Sequence, residues 1–148
     1  MFDGWDVLRL LVILTLVCVG TLLVRRVRIR RLRRRQAAGT TLVAVRTVQG
    51  EHRWLSTRWQ RRLAAPQAGR LDLSRWLVDG RDHVVLEVLA VRPGARDLKT
   101  WEQMVTDDVF ARVLTVQTPT GELEVAVGCE QAEWLRSRLT PAPAADGS

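Results

Sequence analysis

The sequence predicts an α+β protein: one N-terminal transmembrane helix, then a mostly antiparallel β domain of about six strands capped by a C-terminal helix. Three features predict it. A continuous apolar run ends abruptly in a block of arginines, the chain after Gly39 breaks into short β-branched runs separated by turn signals, and the stretch before the final prolines has helical spacing. The organisation that follows is residues 1–24 as the membrane helix and 25–39 as a polybasic juxtamembrane segment and linker. Residues 40–139 are the β-rich domain with its helix, and 140–148 a disordered tail.

Residues 5–24 read WDVLRLLVILTLVCVGTLLV, which is 20 residues. A bilayer core about 30 Å thick needs roughly that many at about 1.5 Å each. Trp5 is placed as an interfacial anchor, and Arg9 is close enough to the outer end to snorkel to the headgroups. Residues 10–24 are apolar on every face, unlike an amphipathic helix of a soluble core. A cleaved secretory signal would begin basic and end in small residues, whereas this start carries Asp3 and Asp6 and no A-x-A pattern follows the apolar run.

Eight arginines come next within eleven positions: Arg25, Arg26, Arg28, Arg30, Arg31, Arg33, Arg34 and Arg35. They account for the formal net charge of +7, because nine arginines oppose two aspartates through Arg35 while residues 36–148 carry fourteen basic and fourteen acidic side chains. A diffuse nucleic-acid-binding surface is therefore not expected. By the positive-inside rule the arginines stay in the cytoplasm and the short N-terminus faces out, which gives a single-pass plasma-membrane protein with its β domain inside. The block is first a topology determinant, and arginines so placed also meet anionic lipid headgroups, at about 1 kcal/mol each. Val27, Ile29 and Leu32 interleave them, so the helix can continue past the bilayer until Ala37, Ala38 and Gly39 loosen it.

In the β domain, the first strand is residues 40–48, and Gln49-Gly50 turns tightly into a second over 52–59 (HRWLSTRW). A loop with Pro66 and Gly69 leads to 70–78, and Asp79-Gly80 joins that strand as a hairpin to 82–91. Residues 96–108 read as a loop with one or two helical turns around 98–105. A last hairpin, 109–118 and 122–128, turns at Pro119-Thr120-Gly121, and ELEVAVG alternates acid with valine, as expected with one wet face. The helix over 130–139 carries Ala132, Leu135 and Leu139 on one stripe, and Pro141 and Pro143 end it. Strands followed by a C-terminal helix is the element order of a pleckstrin-homology-like open barrel.

Catalytic templates find little to grip. His52 and His83 are isolated from carboxylates and thiols at ligand spacing, Cys18 lies in the apolar helix, and Cys129 precedes the last helix in a reducing compartment. No glycine-rich phosphate loop, G-x-S-x-G or C-x-x-C occurs. Asp107-Asp108, the adjacent acidic pair, reads as solvated loop. No cofactor or metal is expected. An enzyme would need a dispersed site, such as His83 with Asp107 or Asp108.

The candidates for contact with a partner or a headgroup are the basic cluster Arg53, Arg58, Arg61 and Arg62, and two tryptophans. Trp54 and Trp59 are five residues apart, so on a regular strand they face opposite sides and one is expected in solvent. Trp134 lies about 130° from the centre of the Ala132, Leu135 and Leu139 stripe at roughly 100° per residue. Trp76 and Val78 oppose Leu71, Leu73 and Leu77, as in a strand covered on both faces.

In length, N-terminal span, basic juncture, the W-and-R-rich HRWLSTRW and the ending ELEVAVGCEQAEWLRSRLTPAP, the chain resembles the actinobacterial domain of unknown function 2550 family. These are short single-span membrane proteins. The arginine block here is heavier than that pattern, and residues 96–108 are additional to it. The resemblance implies a location and no activity or site residue. The expectation is a membrane-tethered, non-enzymatic binding or accessory module that contacts a partner protein or lipid headgroups, or an accessory subunit of a larger membrane complex.

Overall fold

The computed structural model describes residues 4–75, 83–105 and 112–141, in two compact units that divide after Ala38. The first is one helix, α1 (Gly4–Ala37), of 34 residues. It passes from the apolar run into the arginine block without a break, because nothing between Gly4 and Ala37 is a proline. Thr15 and Thr21 return their hydroxyls to the Leu11 and Cys18 carbonyls at 2.8 Å, so neither polar group breaks the apolar surface. Among the described residues α1 is the one helix long and apolar enough to cross a membrane, with an 18-residue window of mean hydropathy 2.7 that is wholly unburied.

The second unit is α+β: an antiparallel sheet of eight strands and a short C-terminal helix. The strands are β1 (Thr41–Gly50), β2 (Gln60–Gln67), β3 (Arg70–Arg75), β4 (His83–Glu87), β5 (Ala90–Val91), β6 (Arg96–Asp97), β7 (Arg112–Thr118) and β8 (Gly121–Val127). Helix α2 (Thr100–Val105) lies between β6 and β7, and a 3-10 turn, Cys129–Gln131, leads into α3 (Ala132–Leu139). The order across the sheet is β4-β3-β2-β1-β8-β7-β5, with β6 also on β7. Its two ends, β4 and β5, are two residues apart in sequence, so the sheet must roll until those edges meet. They meet where Val88 N–H donates to the Gly69 carbonyl at 2.8 Å and Leu89 N–H to that of Gln117 at 2.9 Å.

Inside the roll lies the main core, with Val43, Val45, Leu71, Leu73, Leu114, Val116, Leu123 and Val125 all buried. Ala132, Leu135 and Leu139 of α3 complete it, which is the stripe read from the sequence. A smaller cluster occupies the other face, where Ala44, Leu98, Val113 and Ala126 are joined by half-buried Leu42 and Trp59.

Several sequence expectations are corrected. About six strands become eight. Residues 52–59 form turns instead of a strand, and the second strand is β2, with Pro66 inside it. Proline is tolerated there because the pairing of β2 with β1 has already stopped at Ala64 opposite Thr41. Gln49-Gly50 is not a tight turn either: β1 continues through it, and Gly50 pairs with Gly121. The predicted strand 82–91 splits at Val88 and Leu89, where the chain changes partner from β3 to β7. Trp76, Leu77, Val78 and the Asp79-Gly80 hairpin lie outside the described residues, as do Asp107, Asp108 and residues 142–148 of the tail.

Candidate functional site

The turns that replace the predicted second strand build a groove. Thr47 N–H donates to the Ser56 carbonyl at 2.8 Å and Leu55 N–H to that of His52 at 3.1 Å, which folds residues 52–55 back over the end of the sheet. His52 is buried and anchors this turn, its Nε2 lying 2.7 Å from the Thr118 hydroxyl and its Nδ1 3.5 Å from that of Thr47. Burial without a charge partner lowers the His52 pKa, so the ring sits neutral between two hydroxyls. A neutral anchoring histidine accounts for a residue that is merely isolated in the sequence.

Pinning His52 inward turns Trp54 outward. Trp54 is 53% exposed and is the one non-glycine among the described residues with a positive φ, +67°. A bulky residue there costs about 1–3 kcal/mol, a cost found most often at binding and catalytic sites. The Arg62 guanidinium donates to the Trp54 carbonyl at 3.1 Å, and the guanidinium carbons of Arg53 and Arg75 lie 5.8 and 5.9 Å from the centre of its ring. The half-exposed indole thus has two cations within about 6 Å of its ring centre.

Between this turn and β4 is an open groove of about 580 Å³, lined by residues 51–54 and 83–86 and by Thr120 of the β7–β8 turn. Its size is that of a ligand site. Its far wall is the edge strand β4, where His83 Nδ1 lies 3.1 Å from Asp72 Oδ1 and the histidine side chain is 49% exposed. The predicted partners of His83, Asp107 and Asp108, are outside the described residues. Among those that are described, no three His, Cys, Asp or Glu side chains gather as a metal would require. The groove lies at the opposite end of β1 from Thr41. Thr41, at the start of β1, donates its hydroxyl to Gln131 Oε1 beside α3 at 2.7 Å, and ten strand residues span about 33 Å.

The expected basic cluster does not come together as one patch. Arg61 and Arg62 are neighbours on β2 and face opposite sides, paired with Ala44 and Val43 respectively. Arg53 and Arg62 border Trp54, while Arg58 is exposed in the turn before β2. Of the tryptophan pair, Trp54 is the one in solvent; Trp59 packs into the smaller cluster under the Arg46 guanidinium, 4.7 Å from the ring centre. Trp134 is half-buried against the main core, with Arg138 5.9 Å from its ring centre, and takes no part in the groove. Arg25, Arg26, Arg28, Arg30, Arg31, Arg33, Arg34 and Arg35 all lie on α1.

A second arrangement escaped the sequence reading. The face of β8 expected to be wet is covered by the segment carrying β6 and α2, and Glu122 and Glu124 are only 16% and 12% exposed. Glu122 pairs with Arg92, and Glu124 meets both Arg46 (Nε at 2.7 Å) and Arg96 (Nη2 at 2.8 Å). Glu102 of α2, fully buried, receives both Arg96 terminal nitrogens at 2.8 and 2.9 Å and the Lys99 N–H at 2.9 Å, and Arg46 stands 3.1 Å away. The hydrogen bonds from Arg96 hold the Glu102 carboxyl down at about 2 against its burial. The Lys99 bond is one half of a capping box at the start of α2. Two arginines and two glutamates so arranged clamp α2 onto the sheet.

No protein-family model, no curated protein and no solved structure matches this chain. What the fold and groove define is an α+β domain that presents one tryptophan, two flanking arginines and an open strand edge at one end. It follows a helix with the length and apolarity of a membrane span.

Proposed function

We propose that the chain is a single-pass membrane protein whose β domain is a non-enzymatic binding module on the cytoplasmic side, and that the groove beside Trp54 is its contact surface. The observation that carries the binding role is Trp54 itself: a large aromatic held half-exposed against its backbone preference, with Arg53 and Arg75 near its ring, lining a groove of about 580 Å³. Strands followed by a C-terminal helix agree with the element order of a pleckstrin-homology-like barrel, and the resemblance to a family of single-span proteins points to the same location.

Two features of α1 support the tether. Leu10, Leu16, Leu22 and Val24 are each at least 60% exposed, a surface that a soluble monomer would rarely leave bare. The eight arginines fall on every side of the helix at about 100° per residue, so this segment suits a helix rising out of the headgroup layer better than one lying along it. Anionic lipid would gather around such a collar on all sides. A reporter enzyme active only outside the cytoplasm, fused after Ser148, is expected to be silent. Strong activity of that fusion would overturn the orientation and the cytoplasmic role together.

A further inference from the structure

We propose that β4 is a self-pairing edge: two copies of the chain in one membrane join their β4 strands antiparallel about Val85, and their sheets become continuous. This rests on β4 and on the membrane tether, and is independent of what the groove binds. Among the described residues β4 pairs with β3 alone, and Val85 is 48% exposed. The bond from Val88 N–H to the Gly69 carbonyl fixes which backbone groups are spare, since Val88 and Gly69 continue the register of Leu86 with Leu71 and Val84 with Leu73. Hydrogen-bonded and non-bonded pairs alternate along an antiparallel ladder. The N–H and C=O groups of Val84 and Leu86 therefore turn toward β3, and those of His83, Val85 and Glu87 turn outward. An edge with such groups free is a template for another strand.

The order of residues along β4 selects a second copy as that strand. Paired antiparallel about Val85, two β4 strands set Val85 against Val85 and His83 against Glu87 at both ends. Every outward residue then meets an outward residue, and each such pair exchanges two backbone bonds. A slip of one residue sets outward groups against groups already turned to β3, and a slip of two leaves an end of each strand unmatched. The side chains agree with the same register. His83, Val85 and Glu87 are exposed and share one face, whereas Val84 and Leu86 are half-buried on the other. The cross-strand neighbours on the exposed face are valine with valine and, twice, an imidazole with a carboxylate, a pair that attracts when the ring is protonated. His83 keeps its Nδ1 on Asp72 at 3.1 Å, which leaves Nε2 and the Glu87 carboxylate without a partner among the described residues. Five residues a side make a small contact, and confinement of both copies to one membrane by α1 raises their effective concentration.

The test places the full chain, labelled at its C-terminus in separate batches with a donor or an acceptor fluorophore, in vesicles of phosphatidylcholine and phosphatidylglycerol. Energy transfer is followed as lipid is added. Wild type is expected to transfer well above random proximity. Val85→Pro removes the central N–H without touching the bonds to β3, and should weaken self-association about tenfold. Glu87→Lys alone and His83→Glu alone should each weaken it by about the same factor, because both cross-strand pairs lose their attraction. Mixed with each other, those two chains should associate nearly as wild type does, since one contact keeps histidine with glutamate and the other becomes lysine with glutamate. Val85→Pro and the charge pair are independent readouts, so either decides if the other variant does not fold. Wild type that transfers no more than random proximity would overturn the pairing. Transfer unchanged in every variant would overturn it in favour of association through α1, and a mixture that does not recover would overturn the antiparallel register. Flotation of the same vesicles reports the tether separately: chain that does not float contradicts the tether, while the energy transfer still decides the pairing.

Discussion

Glu102→Gln is expected to destabilise the β domain by about 3 kcal/mol, or about 10–15 °C in Tm, followed by thermal unfolding of the full chain in detergent. The size of the effect comes from what is left behind. Glu102 is fully buried and accepts from Arg96, from Lys99 N–H and, across 3.1 Å, from Arg46. With an amide there, two guanidinium groups that are only 21% and 33% exposed share Glu124 alone. The pH dependence gives the prediction a second edge. The Glu102 pKa is lowered from 4.5 to about 2 in the folded protein, so its contribution is complete above about pH 4.5 and is lost as the pH falls through about 2. Stability of the wild-type domain should therefore decline with acid over that window. The glutamine variant should decline less, keeping only the part due to Glu124, whose pKa is also lowered by its hydrogen bonds to Arg96 and Arg46. A variant as stable as wild type, with the same acid slope, would show that the four-charge arrangement does not clamp α2.

The second large effect is expected at the end of the β1–β8 ladder. Gly50 and Gly121 pair directly, with φ of +83° and +150°. A methyl group on Gly121 would run into the Gln49 carbonyl oxygen, and one on Gly50 into that of Thr120. Both obstacles are backbone and belong to the ladder itself, so neither can rotate aside. Gly121→Ala should cost about 4 kcal/mol or prevent folding. Gly94→Ala is the control: it has φ +87° but nothing within 4 Å, so only the conformational cost of about 1–2 kcal/mol remains. Equal losses in the two variants would mean that the close approach of the two strands is not what requires glycine.

Much of the fold is legible in the sequence because it rests on local pattern. The apolar run and its arginine stop, the stripe of Ala132, Leu135 and Leu139, and the last hairpin each follow from periodicity within a few residues. The misreadings share one cause, which is that the deciding partner is far away in the chain. Residues 52–59 have strand-like composition, yet His52 is drawn inward by Thr118, 66 positions later, and the turn that results puts Trp54 in the left-handed region. Residues 82–91 are one run of β-branched character, and only the meeting of the two sheet edges divides them at Val88. Glu122 and Glu124 alternate with valine as a wet face would, and their covering by Arg46, Arg92 and Arg96 depends on where β6 and α2 fold back.

The candidate site divides in the same way. Trp54, Arg53 and Arg62 are visible as an aromatic with basic neighbours; Trp54 and Arg53 line the groove, and Arg62 donates to the Trp54 carbonyl from behind it. Arg61 could not be separated from them without the register of β2 on β1, and Trp134 needed the packing of α3 to be assigned to the core. Arg75 and the open edge of β4 carried no sequence signal, because both matter only once the sheet has rolled.

Whether the tethered domain binds through Trp54 is decided by affinity purification of the full chain from membranes in gentle detergent. Wild type is compared with Trp54→Gly at equal yield. Glycine relieves the positive φ, and that gain offsets the freedom it adds to the unfolded chain, so the variant is expected to unfold within about 1 kcal/mol of wild type. A protein partner in stoichiometric amount is expected with wild type and is lost from Trp54→Gly if Trp54 is the contact. The same partner retained in full by a folded Trp54→Gly would contradict it.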